Sequence, residues 1–179
     1  MKYIITESQY KLLTEDRILK LDFDVFNKDW NLLQRFLDKK GNPPCIITGD
    51  LYLEGAKIIS LGNIIGVEGD LDLFHSEIES LGDLEYVGGY ALFEKSKIKS
   101  LGNLERVDGY LDVSHTEIES LGNLTEVGSA LMVHDTKLND LGNLEYVGGN
   151  LNLKNTPLSK RTTRREIMST IEVYGYVHI

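Results

Sequence analysis

Apolar and polar positions alternate along the middle of the chain in a unit of twenty residues that repeats without a change of phase. The phrase Leu-Gly-(Asn or Asp)-(Leu or Ile) begins at Leu61, Leu81, Leu101, Leu121 and Leu141. A unit this short cannot bury an apolar face by itself, so successive copies must stack around a continuous core. The spacing therefore predicts an elongated solenoid.

Within each unit, the pattern Leu-x-Leu places two apolar side chains on one face of the chain and the residue between them on the other, which is typical of a β-strand. The predicted inward pairs are Leu51 and Leu53, Leu71 and Leu73, Ala91 and Phe93, Leu111 and Val113, Leu131 and Val133, and Leu151 and Leu153. We expect one strand from each unit and a seventh from Val173 to Ile179. Because every strand is reached by a full circuit in the same direction, the sheet must be parallel, with rungs about 4.8 Å apart.

Helical patterns flank the repeats. Asn27 to Lys40 has apolar residues at helical spacing, an Asn that predicts an N-terminal cap, and Gly41 and Pro43 as a stop. We expect this amphipathic helix to cover the first rung. Thr6 to Leu13 predicts a second, shorter helix, and Thr162 to Ile171 predicts a short helix before the last strand.

These elements together predict an α/β repeat solenoid. It consists of a parallel β-sheet of about seven rungs with a 20-residue period, an N-terminal helical cap, and a short helix before the C-terminal strand. We assign residues 1–44 to the cap, 45–159 to the repeats and 160–179 to the final helix and strand, all within one structural domain. A length of 179 residues with 41% apolar content requires no second domain.

The phrase from Leu111 to Val127, LDVSHTEIESLGNLTEV, resembles a short leucine-rich repeat with a hydroxyl residue where that family usually has Asn. The element Val-x-Gly-x-Leu-x-Leu also resembles the repeats of receptor L domains. This resemblance covers residues 45–159 and implies a module that binds proteins or other ligands on its strand face, without enzyme activity. The opening IITESQ, the repeats and the ending EVYGYVHI together resemble small uncharacterised proteins of tailed bacteriophages.

Charge narrows the range of partners. The net charge is −9, and residues 45–159 alone hold 19 acidic and 7 basic residues. An acidic surface repels phosphate backbones and anionic lipid, so we expect neither nucleic acid nor a membrane to bind along the solenoid. A basic cluster at the C-terminal helix is either a solvated helix end or a contact for an acidic partner. It contains Lys160, Arg161, Arg164 and Arg165.

The beginning of the sequence lacks the apolar run of a signal peptide, and no stretch approaches the length of a membrane span. We therefore expect synthesis in the cytoplasm without a signal peptide, and association with a virion if the phage resemblance holds. The single cysteine, Cys45, lies beside two isoleucines and predicts a buried thiol.

No residue pattern points to catalysis, a cofactor or a metal, and we expect none of them. Glycine pairs recur with the turns and lack the surroundings of a phosphate-binding loop. His75 and His115 share a column but lie two rungs apart, about 9.6 Å, which is too far for a common metal ion. Lys95 occupies the place between them. His115 and Asp135 lie on adjacent rungs, which favours an exposed ion pair.

The outward residues of the strands vary from rung to rung and keep aromatic and apolar side chains in water. The candidate partner-binding residues are Tyr52, Asp72, Phe74, Tyr90, Leu92, Tyr110, Asp112, Met132, His134 and Asn152. Tyr, Met and Phe among acids are typical of a recognition patch, although exposed aromatic residues also stabilise sheets by packing across strands.

The leading hypothesis from the sequence is therefore a non-enzymatic protein–protein interaction module. The alternative is a structural component of a larger, virion-like assembly. Such a component would associate with itself or its neighbours through the terminal strand, at Tyr176, Val177 and His178, or through the basic C-terminal end.

Overall fold

The computed structural model describes residues 18–179, which form a parallel β-solenoid with a period of roughly 20 residues. Each turn contributes two short strands, and these build two parallel sheets. The prediction of one strand per unit was therefore wrong. The chain bends at the glycines inside the Val-x-Gly-x-Leu element, as at Gly88 and Gly89, so that the valine and the leucine lie in different sheets.

The sheet that contains the repeated valines, here called the valine sheet, has eight strands. They are β1 (Leu19–Leu21), β2 (Cys45–Ile47), β4 (Ile64–Val67), β6 (Tyr86–Val87), β8 (Arg106–Val107), β10 (Glu126–Val127), β12 (Tyr146–Val147) and β14 (Glu172–Val173), stacked in that order.

The other sheet, here called the leucine sheet, has seven strands. They are β3 (Leu51–Tyr52), β5 (Leu71–Asp72), β7 (Ala91–Leu92), β9 (Leu111–Asp112), β11 (Leu131–Met132), β13 (Leu151–Asn152) and β15 (Val177–His178), stacked in that order. This sheet is the seven-rung parallel sheet that the Leu-x-Leu pattern predicted, and that prediction is confirmed.

The core runs without interruption through the stack. Leu111 pairs with Ala91 on one side and with Leu131 on the other, and Val107 pairs in the same manner with the valines of its neighbouring rungs. All six predicted inward pairs are buried, so their orientation is confirmed. Cys45 is also buried, as expected, and burial raises the pKa of its thiol to about 11.

Two corners of each turn require a left-handed backbone. One corner is always glycine, with φ between 56° and 63° from Gly62 to Gly142. The other corner carries a side chain, and its residues from the second rung onward are His75, Lys95, His115, Asp135 and Asn155, with φ between 54° and 59°. Left-handed φ is uncommon for residues other than glycine. The repeated bend therefore fixes where these five side chains emerge.

A buried column of hydroxyl residues lies beside this second corner. Thr116, Thr136 and Thr156 each donate a hydrogen bond to the carbonyl of the residue three positions earlier, at 2.6 to 2.8 Å. Ser76 and Ser96 occupy the same column but their hydroxyls have no hydrogen-bond partner among residues 18–179. Within this column, therefore, the threonines alone bond to the backbone.

The asparagines at the glycine corner do not form a ladder of bonds between side chains. Asn63 and Asn123 donate to the backbone carbonyls of Pro43 and Gly102 on the preceding rung, rather than to one another. The repeated bond at this corner comes instead from a serine, as where Ser80 Oγ accepts the Gly82 N–H at 3.0 Å.

The N-terminal end is closed by helix α1 (Trp30–Lys39), whose Leu33 and Leu37 are fully buried in the core. This helix was predicted, but the assignment of its cap to Asn27 was wrong. Asp29 caps it by accepting the Leu32 N–H at 3.1 Å, whereas Asn27 is left-handed and ends a preceding 3-10 turn. The helix predicted from Thr6 to Leu13 lies outside the described residues.

The C-terminal end carries helix α2 (Arg164–Thr170), which confirms the predicted short helix. Thr163 and Glu166 form a reciprocal capping box at its start. Ile167 is the buried residue of this helix. Strands β14 and β15 form the last rung, and no further strand among residues 18–179 pairs with their outer edges. No helix in this part of the chain is both long and apolar enough to cross a membrane.

Candidate functional site

The outward face of the leucine sheet brings the central candidate residues into one column. Their register places Tyr52, Asp72, Leu92, Asp112, Met132, Asn152 and His178 on successive rungs. Neighbouring rungs of a parallel sheet are about 4.8 Å apart. Consecutive members of the column are therefore close enough to form one continuous surface.

Polar and apolar residues alternate along this column, and the polar ones have a backbone role. The side chains of Asp72, Asp112 and Asn152 each accept the N–H of the residue two positions later, at 2.8, 2.9 and 3.2 Å. This Asx arrangement stabilises the turn that follows each strand. Leu92 and Met132 lie on the intervening rungs and offer no such bond. The turn bonds therefore explain why polar residues occupy their positions in the column. They give no reason for the apolar residues at Leu92 and Met132.

A second column on the same face contains Tyr90 and Tyr110 on adjacent rungs. It also has structural members, because Asp70 accepts the Tyr90 N–H at 2.8 Å and Asn150 accepts the N–H of Tyr176 at the same distance. Tyr90 is 55% exposed. Its ring lies against Gly109, where a Cβ atom would be 2.8 Å from Cδ1 of the ring. The glycine thus gives the aromatic ring a flat backbone to pack on.

Two other tyrosines on this face donate hydrogen bonds to carboxylates. Tyr110 donates to Asp112 Oδ2 at 2.7 Å, and Tyr52 donates to Asp50 Oδ2 at 2.8 Å. The bond to Asp50 raises the pKa of Tyr52 to about 12. Burial, and then the bond to Asp112, raise the pKa of Tyr110 as well. Both hydroxyls therefore remain protonated to a higher pH than those of free tyrosine.

Some candidate residues lie away from the centre of the face. The ammonium group of Lys28, from the cap, lies 5.9 Å from the ring of Tyr52, and that of Lys95 lies 5.2 Å from the ring of Phe74. Cation–π contacts at exposed sites contribute about 0.5–1 kcal/mol. Phe74 and His134 occupy the same column but lie three rungs apart, so they do not share a local site.

The terminal strand presents two of its three candidate residues to solvent. Tyr176 is 75% exposed and His178 is half-buried, with their ring centroids 6.4 Å apart. Val177 is 3% exposed and points into the core. It therefore holds the last rung onto the stack, and its side chain is not available to a partner at the edge.

Sequence reasoning missed the outward face of the valine sheet. Tyr86, Arg106 and Glu126 follow one another there in register, and Tyr146 contacts Tyr174 with ring centroids 5.7 Å apart. The residue before each repeated valine varies from unit to unit, and this variation was the available signal. It was overlooked because the glycine after the valine was interpreted as part of a single long strand.

Sequence reasoning also missed a cluster of possible metal ligands at the left-handed corner. The predicted neighbours His115 and Asp135 are joined there by His134. The Nε2 atoms of both histidines lie 4.0 Å from Asp135 Oδ2. Asp135 has a left-handed φ of 56°, and the ring of His134, the residue before it, lies with its centroid 5.3 Å from that of His115 on the preceding rung.

No protein-family model matches the chain, and no curated protein or solved structure matches it either. The resemblances to leucine-rich repeats, to receptor L domains and to phage proteins therefore stay predictions from sequence motifs.

Proposed function

We propose that the protein is a non-enzymatic interaction module that binds a protein partner on the outward face of the leucine sheet. The binding surface, here called the strand-face patch, consists of Tyr90, Leu92, Tyr110 and Met132. The observation that carries the proposal is the alternation along the central column. Polar residues there support the backbone, whereas Leu92 and Met132 keep apolar surface in contact with water without a role in the turn.

The chemistry around the patch favours a partner that combines basic and apolar groups. Asp72 and Asp112 flank Leu92 on the two neighbouring rungs. Asp72 uses Oδ1 for its turn, and its Oδ2 accepts no hydrogen bond from residues 18–179. A free carboxylate oxygen beside an apolar side chain suits an arginine or lysine that lies next to an apolar residue of the partner. Charge of this kind also speeds association and makes it dependent on salt.

Rigidity supports the same proposal. The residues of the patch lie on or beside two-residue strands that are bonded to both neighbouring rungs, as where the Ala91 N–H donates to the Tyr110 carbonyl at 2.8 Å. A surface that is already ordered loses little conformational entropy when it binds. The patch therefore needs no rearrangement before it meets a partner.

The test is a double substitution, Tyr90→Ser with Leu92→Ser, followed by quantitative recovery of partners from the native source. We expect loss of at least one partner, because both side chains supply apolar surface at the centre of the patch. Tyr110 is retained because its hydroxyl is bonded to Asp112. The matched control replaces two exposed apolar residues that lie outside both proposed binding surfaces, Val25→Ser with Ile59→Ser. Equal recovery of every partner by both variants and the parent would rule out the patch.

A second candidate function, a building block of a larger assembly, is favoured by the open last rung. Tyr174 and Tyr176 are 71% and 75% exposed at that end, and the outer edges of β14 and β15 have no partner strand among the described residues. Unpaired edges of this kind accept strands from other chains.

Mass measurement in solution over a range of concentrations tests the assembly. Tyr176→Lys should reduce association, because it places a charge at the exposed edge. Substitution of Val177 is unsuitable because that side chain is in the core. A parent protein that stays monomeric at every concentration contradicts this second function.

A further inference from the structure

We propose that His115, His134 and Asp135 form a binding site for a divalent transition-metal ion, with Zn²⁺ as the best fit. One donor atom from each of these side chains lies within 4.8 Å of the other two. They are the sole group of three or more such residues that meets this condition within residues 18–179. The site lies at the left-handed corner, at the side of the strand-face patch.

The distances are close to those of a coordinated ion. Both Nε2 atoms lie 4.0 Å from Asp135 Oδ2. An ion centred among three atoms at such separations is about 2.5 Å from each, compared with roughly 2.0–2.2 Å for Zn–N and Zn–O bonds. Contraction by about 0.3–0.5 Å to reach the bond lengths of zinc requires only small side-chain rotations, because His115 and Asp135 are exposed and His134 is half-buried. Two imidazoles and a carboxylate suit zinc, cobalt, nickel and copper better than magnesium or calcium.

The backbone holds the ligands in place. His115 and Asp135 both occupy the left-handed corner, with φ of 57° and 56°. The His115 N–H donates to the His134 carbonyl at 3.3 Å, and the Asp135 N–H donates to the Lys154 carbonyl at 3.0 Å. The first bond joins the two rungs that carry the ligands, and the second joins the later of them to the rung that follows. An ion bound here therefore links one turn of the solenoid to the next.

A neighbouring residue also orients the carboxylate. Asn155 donates from Nδ2 to Asp135 Oδ1 at 2.9 Å, which leaves Oδ2 directed towards both histidines. Hydrogen bonds of this type to a ligating group increase metal affinity. The ring of His134 lacks such support, because its Nδ1 is buried without a hydrogen-bond partner among residues 18–179. We therefore expect weaker binding than in a closed structural zinc site.

The two lysines nearest the cluster do not prevent a cation from binding there. Lys95 precedes His115 in the corner column, but its ammonium group is paired with Glu94 at 2.6 Å. Lys154 follows His134 in the adjacent column, and its exposed side chain can extend into solvent away from the ion. Three protein ligands leave at least one coordination position open for water or for a donor from another molecule.

The test uses the full chain after removal of metal with a chelator, in buffer at about pH 7.5, where free imidazole is mostly neutral. Zinc chloride is titrated into it by calorimetry, and thermal unfolding is measured with and without the ion. We expect one bound ion and a higher melting temperature. Cobalt chloride should give a visible absorption band, which reports nitrogen and oxygen coordination.

Three variants, His115→Ala, His134→Ala and Asp135→Asn, should each weaken zinc binding by at least about tenfold, since loss of a supporting group alone costs 10–100-fold. Asp135→Asn keeps the corner intact, because asparagine occupies the equivalent position at residue 155. The matched control is His75→Ala, which removes an exposed histidine from the same corner column and should leave affinity unchanged. Absence of zinc binding by the parent, or equal binding by parent and cluster variants, overturns the proposal.

Discussion

Leu111 and Asp112 are adjacent residues of one strand, but Leu111 belongs to the buried core and Asp112 to the outward face of the leucine sheet. The Leu111 side chain is fully buried between Ala91 and Leu131, and the corresponding position in every rung of the leucine sheet is apolar. Asp112 lies outside, in a column where acids, amides and apolar residues alternate. The interior positions therefore have to be apolar in every rung, whereas the outer positions differ from rung to rung. Stability and recognition should respond separately to substitution.

The largest expected effect comes from the interior. Leu111→Ala should lower the free energy of unfolding by about 2–5 kcal/mol, because it leaves a cavity between two rungs that cannot close around it. The neighbouring change Asp112→Asn should alter it by less than about 0.5 kcal/mol, because an amide oxygen can accept the same turn N–H, as Asn152 does. Urea denaturation followed by circular dichroism measures both. Losses of equal size would show that Asp112 supports the stack as strongly as Leu111 does and would contradict the separation of the two regions.

A smaller effect should come from the hydroxyl column, which differs between the two halves of the solenoid. Ser76→Thr combined with Ser96→Thr should raise the free energy of unfolding by about 1 kcal/mol, because each threonine can adopt the bonded geometry found on later rungs. The reciprocal changes Thr136→Ser and Thr156→Ser should lower it. Thermal and urea unfolding provide the measurement. A fall in stability for the serine-to-threonine pair would indicate that the first rungs have no room for the added methyl groups.

These effects correspond to what the sequence could and could not predict. The inward leucines were predictable because a fixed period allows few packing solutions, and the register then follows from the repeat. The second sheet was not predicted, because apolar alternation continues across the glycine at which the chain bends. The N-terminal cap of α1 was assigned wrongly for a similar reason. Asn27 and Asp29 are both favourable cap residues, and only the geometry of the preceding 3-10 turn shows that Asp29 is the one that caps the helix.

The candidate site was predictable in part. Period-two alternation identifies which residues face outward, so the column from Tyr52 to Asn152 was found correctly. The turn bonds of Asp72 and Asp112 were not predicted, because the sequence does not show whether an acidic side chain binds a partner or its own backbone. The contact between the rings of His134 and His115 was not predicted either, because left-handed φ is uncommon outside glycine and the sequence does not show which residues of the turn adopt it.

The smallest effect concerns the tyrosines of the outer face at alkaline pH. The pKa of Tyr110 is raised by burial and by its bond to Asp112, and that of Tyr52 is raised to about 12 by its bond to Asp50. Unfolded tyrosine ionises near pH 10. Between about pH 10 and 12 the folded protein therefore holds protons that the unfolded chain releases, and stability falls as the pH rises through this window.

Absorbance titration of tyrosinate separates the two residues. In Asp112→Asn, Tyr110 should ionise at lower pH than in the parent while Tyr52 is unchanged. The variant removes the negative charge, and with its oxygen on the Ser114 N–H it presents an amide NH2, which favours the ionised phenolate, to the Tyr110 oxygen. Asp50→Asn should have the opposite selectivity, since its amide oxygen can still accept the Asp70 N–H. Identical titration curves for both variants and the parent would mean that these carboxylates do not bond to the tyrosine hydroxyls in solution. In that case the outer face would be less ordered than the interior that supports it.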